Sequence, residues 1–306
     1  MARHVLVSAL LAIVVAGCGA ASQANPNDGV VHVATTTNFI TDLAHQIGGD
    51  RVDVEGLMGP GVDPHLYKAS ANDVSTLADA ELVLYGGLEL EGKMGDVLEK
   101  LDRRKPTVAV TRDMPRDRLR AEPGYEDRPD PHVWFDVDLW RSAARTTAEA
   151  LVEVDPAGRA TYERNLRAYD RRLRALDAEA RERIATIPEG RRVLVTSHDA
   201  FHYFGARYDI DVVAIQGVST ATEATTADVE RVAKLIADRG VRSVFVESSV
   251  PPQTIEAVLA SARRQGATAT VGGELFADAA GDDGTPEGTY EGMIRHNLDA
   301  IVEGLR

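Results

Sequence analysis

Cysteine is almost absent from this 306-residue sequence: Cys18 stands alone, so no internal disulfide can form. Basic residues are also few, with 34 Lys and Arg against 48 Asp and Glu, for a formal net charge of −14. This balance argues against a nucleic-acid partner, because phosphate binding requires a basic surface. The 44% hydrophobic content is that of an ordinary soluble globular protein.

Two catalytic motifs are missing as well. The sequence has no HExxH motif of the kind that zinc proteases use. The nearest approach to a GxxxxGK[ST] phosphate-binding loop runs from Gly87 to Lys93, but Met94 follows where a magnesium-binding hydroxyl is required. We therefore expect no nucleotide hydrolysis by this chain itself.

The N-terminal apolar run, Val5 to Val15, is too short to span a membrane as a helix. It follows Arg3 and His4 and precedes Ala16-Gly17-Cys18, a pattern typical of an export signal. The tetrapeptide VAGC resembles the lipobox of bacterial lipoproteins, in which the cysteine becomes the lipidated first residue; the alternative is a plain secretory signal. We predict a signal peptide over 1–17, lipidation of Cys18 and a flexible tether over 18–30.

Beyond the tether, short apolar runs alternate with helical patterns in two separate series, at about 30–110 and 193–271. Strands that alternate with helices indicate parallel sheets, and a chain of this length favours two domains. The prediction is an α/β fold of two (β/α)4-like lobes with mainly parallel sheets. The first lobe is expected over 31–154 and the second over 189–306.

A single long helix is predicted between the lobes, over 155–188. Asp155-Pro156 supplies a cap and a first-turn proline, and Pro188 marks the end. We expect a rigid connector that limits how far the lobes open, whereas pairing in a coiled coil is the alternative. One apolar stripe at helical spacing supports the helix: Tyr162, Leu166, Tyr169, Leu173, Leu176, Ala180, Ile184 and Ile187.

Four loops carry the candidate functional residues. They are GPGVDPHLYKAS with His65, PDPHVWFD with His132, TSHDAFHYF with His198 and GGELFADAAGDDGT with Asp278. Parallel sheets place functional residues in loops at the carboxyl ends of strands, so two residues from each lobe can converge on the cleft between them. Three imidazoles and a carboxylate are a typical ligand set for a divalent transition metal.

The chain resembles the zinc/manganese solute-binding family of bacterial ABC importers, which includes lipoproteins once described as adhesins. The resemblance covers nearly the whole chain after residue 30. The matching stretches are VDPHLYKASANDVSTLADAELVLYGGLELE, DPHVWFDVDLW, TSHDAFHYFGARYDI, FVESSVPP and GELFADAAGDDGTPEGTYEGMIRHNLDAI.

The family implies two α/β lobes joined by one long helix, with His65, His132, His198 and Asp278 as metal ligands. It also implies one Zn²⁺ or Mn²⁺ per chain as transported cargo and a membrane ABC permease as partner. The protein would be a monomer held at the outer side of a cell membrane by lipid on Cys18. We therefore expect a binding protein rather than an enzyme.

Two departures from family patterns bear on the metal. The stretch Met114–Pro131 has no histidine, unlike the His-rich loop of many zinc-dedicated members, and several manganese-dedicated members carry Glu in place of His198. The chain thus resembles the three-His, one-Asp subgroup, for which both metals have been proposed. Affinity favours Zn²⁺, whereas binding of Asp278 through both oxygens would suit Mn²⁺.

The other histidines favour simpler interpretations. His202 lies four residues after His198 and can share a helical face with it, but the family resemblance uses only His198, so His202 is interpreted as a packing residue. The remaining candidates, interpreted as structural or surface residues, are His32, His45 and His296.

Glu247, in the FVESS stretch at a strand end, is a candidate acceptor that orients a ligating imidazole. A structural salt bridge to an arginine is the alternative. Two other functions are the alternatives: a surface adhesin that keeps metal for stability, and a secreted zinc hydrolase. A hydrolase needs an open metal position for water, which four protein ligands would close.

Overall fold

The structure is a computed structural model that describes residues 29–122 and 125–306, with side chains described except at 122 and 125–127. The predicted signal peptide, Cys18 and nearly all of the tether lie outside the described residues. The strands are β1 (Val31–Thr35), β2 (Val52–Gly56), β3 (Leu82–Tyr85), β4 (Thr107–Ala109), β5 (Ala121–Glu122), β6 (Tyr125–Pro129), β7 (Val193–Thr196), β8 (Asp211–Ala214), β9 (Ser243–Glu247) and β10 (Thr270–Leu275). The helices are α1 (Asn38–Gly48), α2 (Ala71–Asp79), α3 (Gly95–Asp102), α4 (Val137–Val154), α5 (Arg159–Ala185), α6 (His202–Tyr208), α7 (Thr226–Arg239), α8 (Gln253–Arg264) and α9 (Tyr290–Leu305).

The first lobe is built on a four-stranded sheet of order β2-β1-β3-β4, in which every neighbouring pair is parallel. Its central strands are buried, as the apolar sequences VHVAT and LVLY require. Helix crossovers join the strands, so their carboxyl ends share one edge. The loop after β2 leaves from this edge and carries His65.

The second lobe contains two parallel pairs, β7 with β8 and β9 with β10, and β7 lies beside β9. The sheets are therefore mainly parallel, as predicted, and the antiparallel exception is the hairpin of β5 and β6. The mixed α/β fold with two lobes is confirmed. Within the described part of the chain, no helix has both the length and the apolar character of a membrane-spanning segment.

Helix α5 links the two lobes. Its 27 residues span about 40 Å, and Pro156–Gly158 forms a 3-10 turn before it. The Asp155 side chain caps that turn by accepting a hydrogen bond from the Gly158 N–H (3.2 Å). Seven residues of the predicted apolar stripe are buried, and Leu166 is partly buried against the same core.

Helix α4, 18 residues long, was not predicted from the sequence. It is amphipathic, and its buried face consists mostly of small residues such as Ala144 and Thr147. Asp136 caps its N-terminus by accepting from the Asp138 N–H (2.9 Å). Helix α4 thus begins directly after the loop that carries His132, and it packs along α5.

One hydrophobic core extends across both lobes. At its centre, aromatic residues that precede α5 in the sequence contact aromatic residues that follow it. Phe135 stacks on Phe201 with 4.3 Å between ring centroids, and Trp140 stacks on Tyr290 with 4.9 Å between them. The two lobes therefore share one hydrophobic core where these rings meet. We call these buried rings the aromatic block, consisting of Phe39, Trp134, Phe135, Trp140, Phe201 and Tyr290.

Candidate metal centre

The structure brings the four predicted ligands together between the lobes. One ligand atom from each of His65, His132, His198 and Asp278 lies within 4.8 Å of the others. His132, His198 and Asp278 are fully buried, and His65 is 5% exposed. Two of these residues come from each side of α5, so an ion at this point would contact both lobes.

The imidazoles all present Nε2 to a common point. His132 Nε2 lies 3.4 Å from His65 Nε2 and 3.3 Å from His198 Nε2. Asp278 completes the group, with Oδ1 at 3.3 Å from His132 Nε2 and Oδ2 at 3.3 Å from His198 Nε2. Neither carboxylate oxygen of Asp278 has a hydrogen-bond partner among the described residues. A buried carboxylate in this condition is costly unless a cation or a charged imidazole compensates it, so the residues fit a divalent ion.

Two ligand histidines share a local motif, Asp-Pro-His. Asp63 Oδ1 accepts from the His65 N–H (2.8 Å), and Asp130 Oδ1 accepts from the His132 N–H (2.9 Å). In each case the aspartate fixes a tight turn by bonding the backbone two residues ahead. The repeated motif therefore explains how both imidazoles are held at strand exits.

Carboxylates also orient two of the imidazole rings from behind. Asp130 Oδ1 lies 2.7 Å from His132 Nδ1, and Glu247 Oε2 makes a short hydrogen bond with His198 Nδ1. Glu247 Oε1 additionally accepts from the backbone N–H groups of Ser197 (2.8 Å) and His198 (3.0 Å). A proton held on Nδ1 leaves Nε2 with its lone pair for a metal. Sequence reasoning missed Asp130 in this position, although the carboxylate two residues before the histidine was the available signal.

Asp278 is placed by the first lobe, although it follows β10 in the second. Trp134 Nε1 donates to the Ala277 carbonyl (3.0 Å), directly before the ligand. Asn38 clamps the other side, because its Nδ2 donates to the Ala280 carbonyl and its Oδ1 accepts from the Ala280 N–H, both at 2.9 Å. Asp278 is thus immobilised across the interface.

The pKa values of the four residues reflect burial and their mutual charges. Burial lowers the pKa of His65 to about 3, against the opposing carboxylate of Asp278. Burial would also lower the pKa of His132, but Asp130 and Asp278 outweigh it and raise the pKa to about 9. For His198, Asp278 and Glu247 overcome burial and raise the pKa well above its usual value. The same imidazoles hold the pKa of Asp278 well below its usual range, despite burial.

The other histidines lie elsewhere. His202 Nε2 pairs with Asp199 Oδ1 at 3.2 Å, outside the four-residue group. His32 pairs with Asp53 at the surface, and His45 is exposed on α1. His296, which lies in α9, packs on the ring of Phe276.

Two α/β lobes on one long helix, with a buried three-histidine, one-aspartate group between them, define the class of solute-binding proteins of metal ABC importers. The chain belongs to the family described as zinc-uptake complex component A, periplasmic (ZnuA), which matches residues 33–304. This confirms the resemblance found in the sequence. Family members are solute-binding components of importers and not enzymes.

Relatives in other bacteria match over nearly their full length. The chain is 44% identical to the manganese-binding lipoprotein MntA of Bacillus subtilis over 306 residues, 99% of this chain and all of the relative. It is 46% identical to the zinc-binding protein TroA of Treponema pallidum over 279 residues, 91% and 90% of the two chains. A solved structure of the periplasmic zinc-binding protein TroA superposes with a TM-score of 0.88, at 44% identity over 90% of this chain and 99% of that one.

Proposed function

We propose that His65, His132, His198 and Asp278 bind one divalent transition metal ion, Zn²⁺ or Mn²⁺, as cargo for a membrane ABC permease. The buried cluster of four ligand atoms within 4.8 Å carries this proposal. It is supported by relatives named for zinc and for manganese. Four convergent donors leave no position for an activated water, which distinguishes the group from a catalytic zinc site.

The geometry suits both ions. Both oxygens of Asp278 face the cluster, so the carboxylate can bind through one oxygen in a four-coordinate zinc site or through two around manganese. Three imidazoles nevertheless favour Zn²⁺, because divalent affinity rises along the series from Mn²⁺. We propose that the isolated protein binds Zn²⁺ more tightly and that metal supply decides the ion carried in the cell.

The site proposal is tested by titrating the metal-free protein with Zn²⁺ and Mn²⁺, and by repeating this with His65→Ala and Asp278→Ala. Each change should weaken binding by at least about a hundredfold, more than loss of an outer partner does. Metal at a thousandfold excess over Kd should stabilise the parent by about 4 kcal/mol, and both variants should lose most of this gain. His296→Ala, in α9 outside the cluster, is the control and should behave as the parent. Parental affinity in Asp278→Ala would refute the ligand assignment.

We further propose that residues 1–17 are a signal peptide, that lipid on Cys18 anchors the chain to the outer side of a membrane, and that 18–30 is a tether. On the same proposal, 31–154 and 189–306 act as the two lobes of a monomer around the connector 155–188, with the permease as its partner. Relatives from Bacillus subtilis and Streptococcus sanguinis are named lipoproteins, which supports the anchor.

The anchor has its own test. Cells that express the chain should incorporate labelled palmitate into it, and Cys18→Ala should abolish the label and release the protein from the membrane fraction. Labelling that persists in the variant would contradict lipidation at Cys18.

A further inference from the structure

Asp63 joins the His65 loop to the opposite lobe. Its Oδ1 holds the backbone N–H of His65 (2.8 Å), while its Oδ2 accepts from the hydroxyl of Thr220 (2.5 Å) in the second lobe. Thr220 is itself buried. One carboxylate therefore contacts a metal ligand's backbone and the facing lobe at once.

The Thr220 segment is in turn tied to the His198 loop by backbone hydrogen bonds. The N–H of Gln216 donates to the carbonyl of Ser197 (3.0 Å), and the N–H of Asp199 donates to the carbonyl of Gly217 (3.2 Å). The residues on either side of His198 thus hold the segment that ends at Thr220. A continuous path of short-range links runs from the His198 loop to the His65 loop without passing through the metal position.

His65 is the ligand on the accessible side of the site. It lines a cleft of about 1370 Å³ together with Gly217, Val218 and Ser219, whereas the other three ligands are fully buried. The same loop also approaches the second lobe at Gly61. A side chain at this position would place its Cβ 3.5 Å from the carbonyl oxygen of Ser248. An ion that left through this cleft would pass His65, and the Asp63–Thr220 hydrogen bond holds the loop that carries His65.

We propose that Thr220 is a positioning residue that latches the His65 loop to the His198 loop and thereby limits the rate of metal release. This proposal rests on the proposed function, because it assigns a kinetic role at the same site. It predicts a change in dissociation rate without loss of any ligand atom. A hydrogen bond to a charged group contributes enough to change that rate by about tenfold or more.

The test uses the metal-loaded mature chain, mixed rapidly with an excess of a chelator that reports Zn²⁺ by absorbance. Thr220→Val should release Zn²⁺ about tenfold faster than the parent. Thr220→Ser, which keeps the hydroxyl, should restore the parental rate. Thr222→Val, an exposed threonine two residues along the same loop, is the matched control and should leave the rate unchanged.

A double-mutant cycle separates the latch from a general loss of structure. Asp63→Ala should accelerate release more than Thr220→Val, because it also removes the bond to the His65 backbone, and the second change should add nothing to the first. Thr220→Val at the parental rate, or additive effects in the cycle, would overturn the latch. If the parent itself binds no metal in the preceding titration, the proposed function fails instead, so the two failures are distinguishable.

Discussion

The lobe interface differs on the two sides of the metal centre. Behind His132 and Asp278, the aromatic block fills the interface with stacked rings, and Trp134 donates across it to Ala277. On the cleft side, the His65 loop meets the second lobe through the Asp63–Thr220 hydrogen bond and the approach of Gly61 to Ser248. The first side is built on buried apolar area and is expected to act as a permanent joint, whereas the second is a polar contact that we expect to open. Movement during metal exchange should therefore be confined to the cleft side.

The largest expected effect follows from breaking the permanent joint. Phe201→Ala removes a fully buried ring stacked on Phe135 and should lower the unfolding free energy of the metal-free protein by about 3–5 kcal/mol. Leu66→Ala, at a side chain 50% exposed next to His65, should change it by less than about 0.5 kcal/mol. Chemical denaturation monitored by circular dichroism measures both. Equal losses would show that the two sides do not differ as described.

A smaller effect is expected from the carboxylates that orient the rings. Glu247→Gln should weaken Zn²⁺ binding by about 10–100-fold. The neutral amide cannot give His198 Nδ1 the charge-assisted hydrogen bond that the carboxylate gives it. The same change at the exposed Glu274, on the neighbouring strand β10, is the control and should leave affinity as in the parent. Equilibrium competition against a chelator of known affinity decides it. An unaltered Kd in Glu247→Gln would mean that ring orientation at His198 does not depend on this carboxylate.

The most gradual effect is expected from pH, which should change the stability of the metal-free protein and its affinity for metal in opposite directions. Because the pKa of His132 is raised to about 9 in the folded metal-free protein, its contribution to stability is complete below about 6.5 and is lost as pH rises through 9. Metal binding requires the neutral imidazole, so affinity should rise over the same window and protons should be released on binding. Calorimetric titration in buffers of different ionisation enthalpy measures the released protons. Binding without proton release at pH 7 would contradict the raised pKa values of His132 and His198.

The convergence of the four candidate ligands was predictable because each lies in a loop that its local sequence marks. Each candidate lies after a short apolar run or beside a cluster of Pro, Gly and Asp, and parallel sheets place functional residues in such loops. The turns that the two Asp-Pro-His motifs make were seen only in the structure. The alternation of strands and helices likewise predicted parallel sheets, since period and length are local properties. Family resemblance added the choice of these four residues over His202.

What the sequence left open or missed depends mainly on pairing between residues that are distant in the chain. The sequence named Glu247 as a candidate ring-orienting acceptor but left a structural salt bridge to an arginine open, because its partner His198 lies 49 residues away. Helix α4 was missed although its sequence is amphipathic, with small buried residues such as Ala144 and Thr147 at helical spacing. The latch between Asp63 and Thr220 joins residues 157 apart and has no sequence signature.

The position of Tyr290 in the aromatic block has a consequence for synthesis of the chain. Its ring stacks on Trp140, its hydroxyl donates to the Trp134 carbonyl (2.7 Å), and its N–H donates to Asp42 (3.0 Å). The N-terminal lobe therefore lacks part of its core until α9, which follows the sheets of both lobes in the chain, has been synthesised. We therefore expect the N-terminal lobe to complete its packing only together with α9, rather than while the second lobe is still being made.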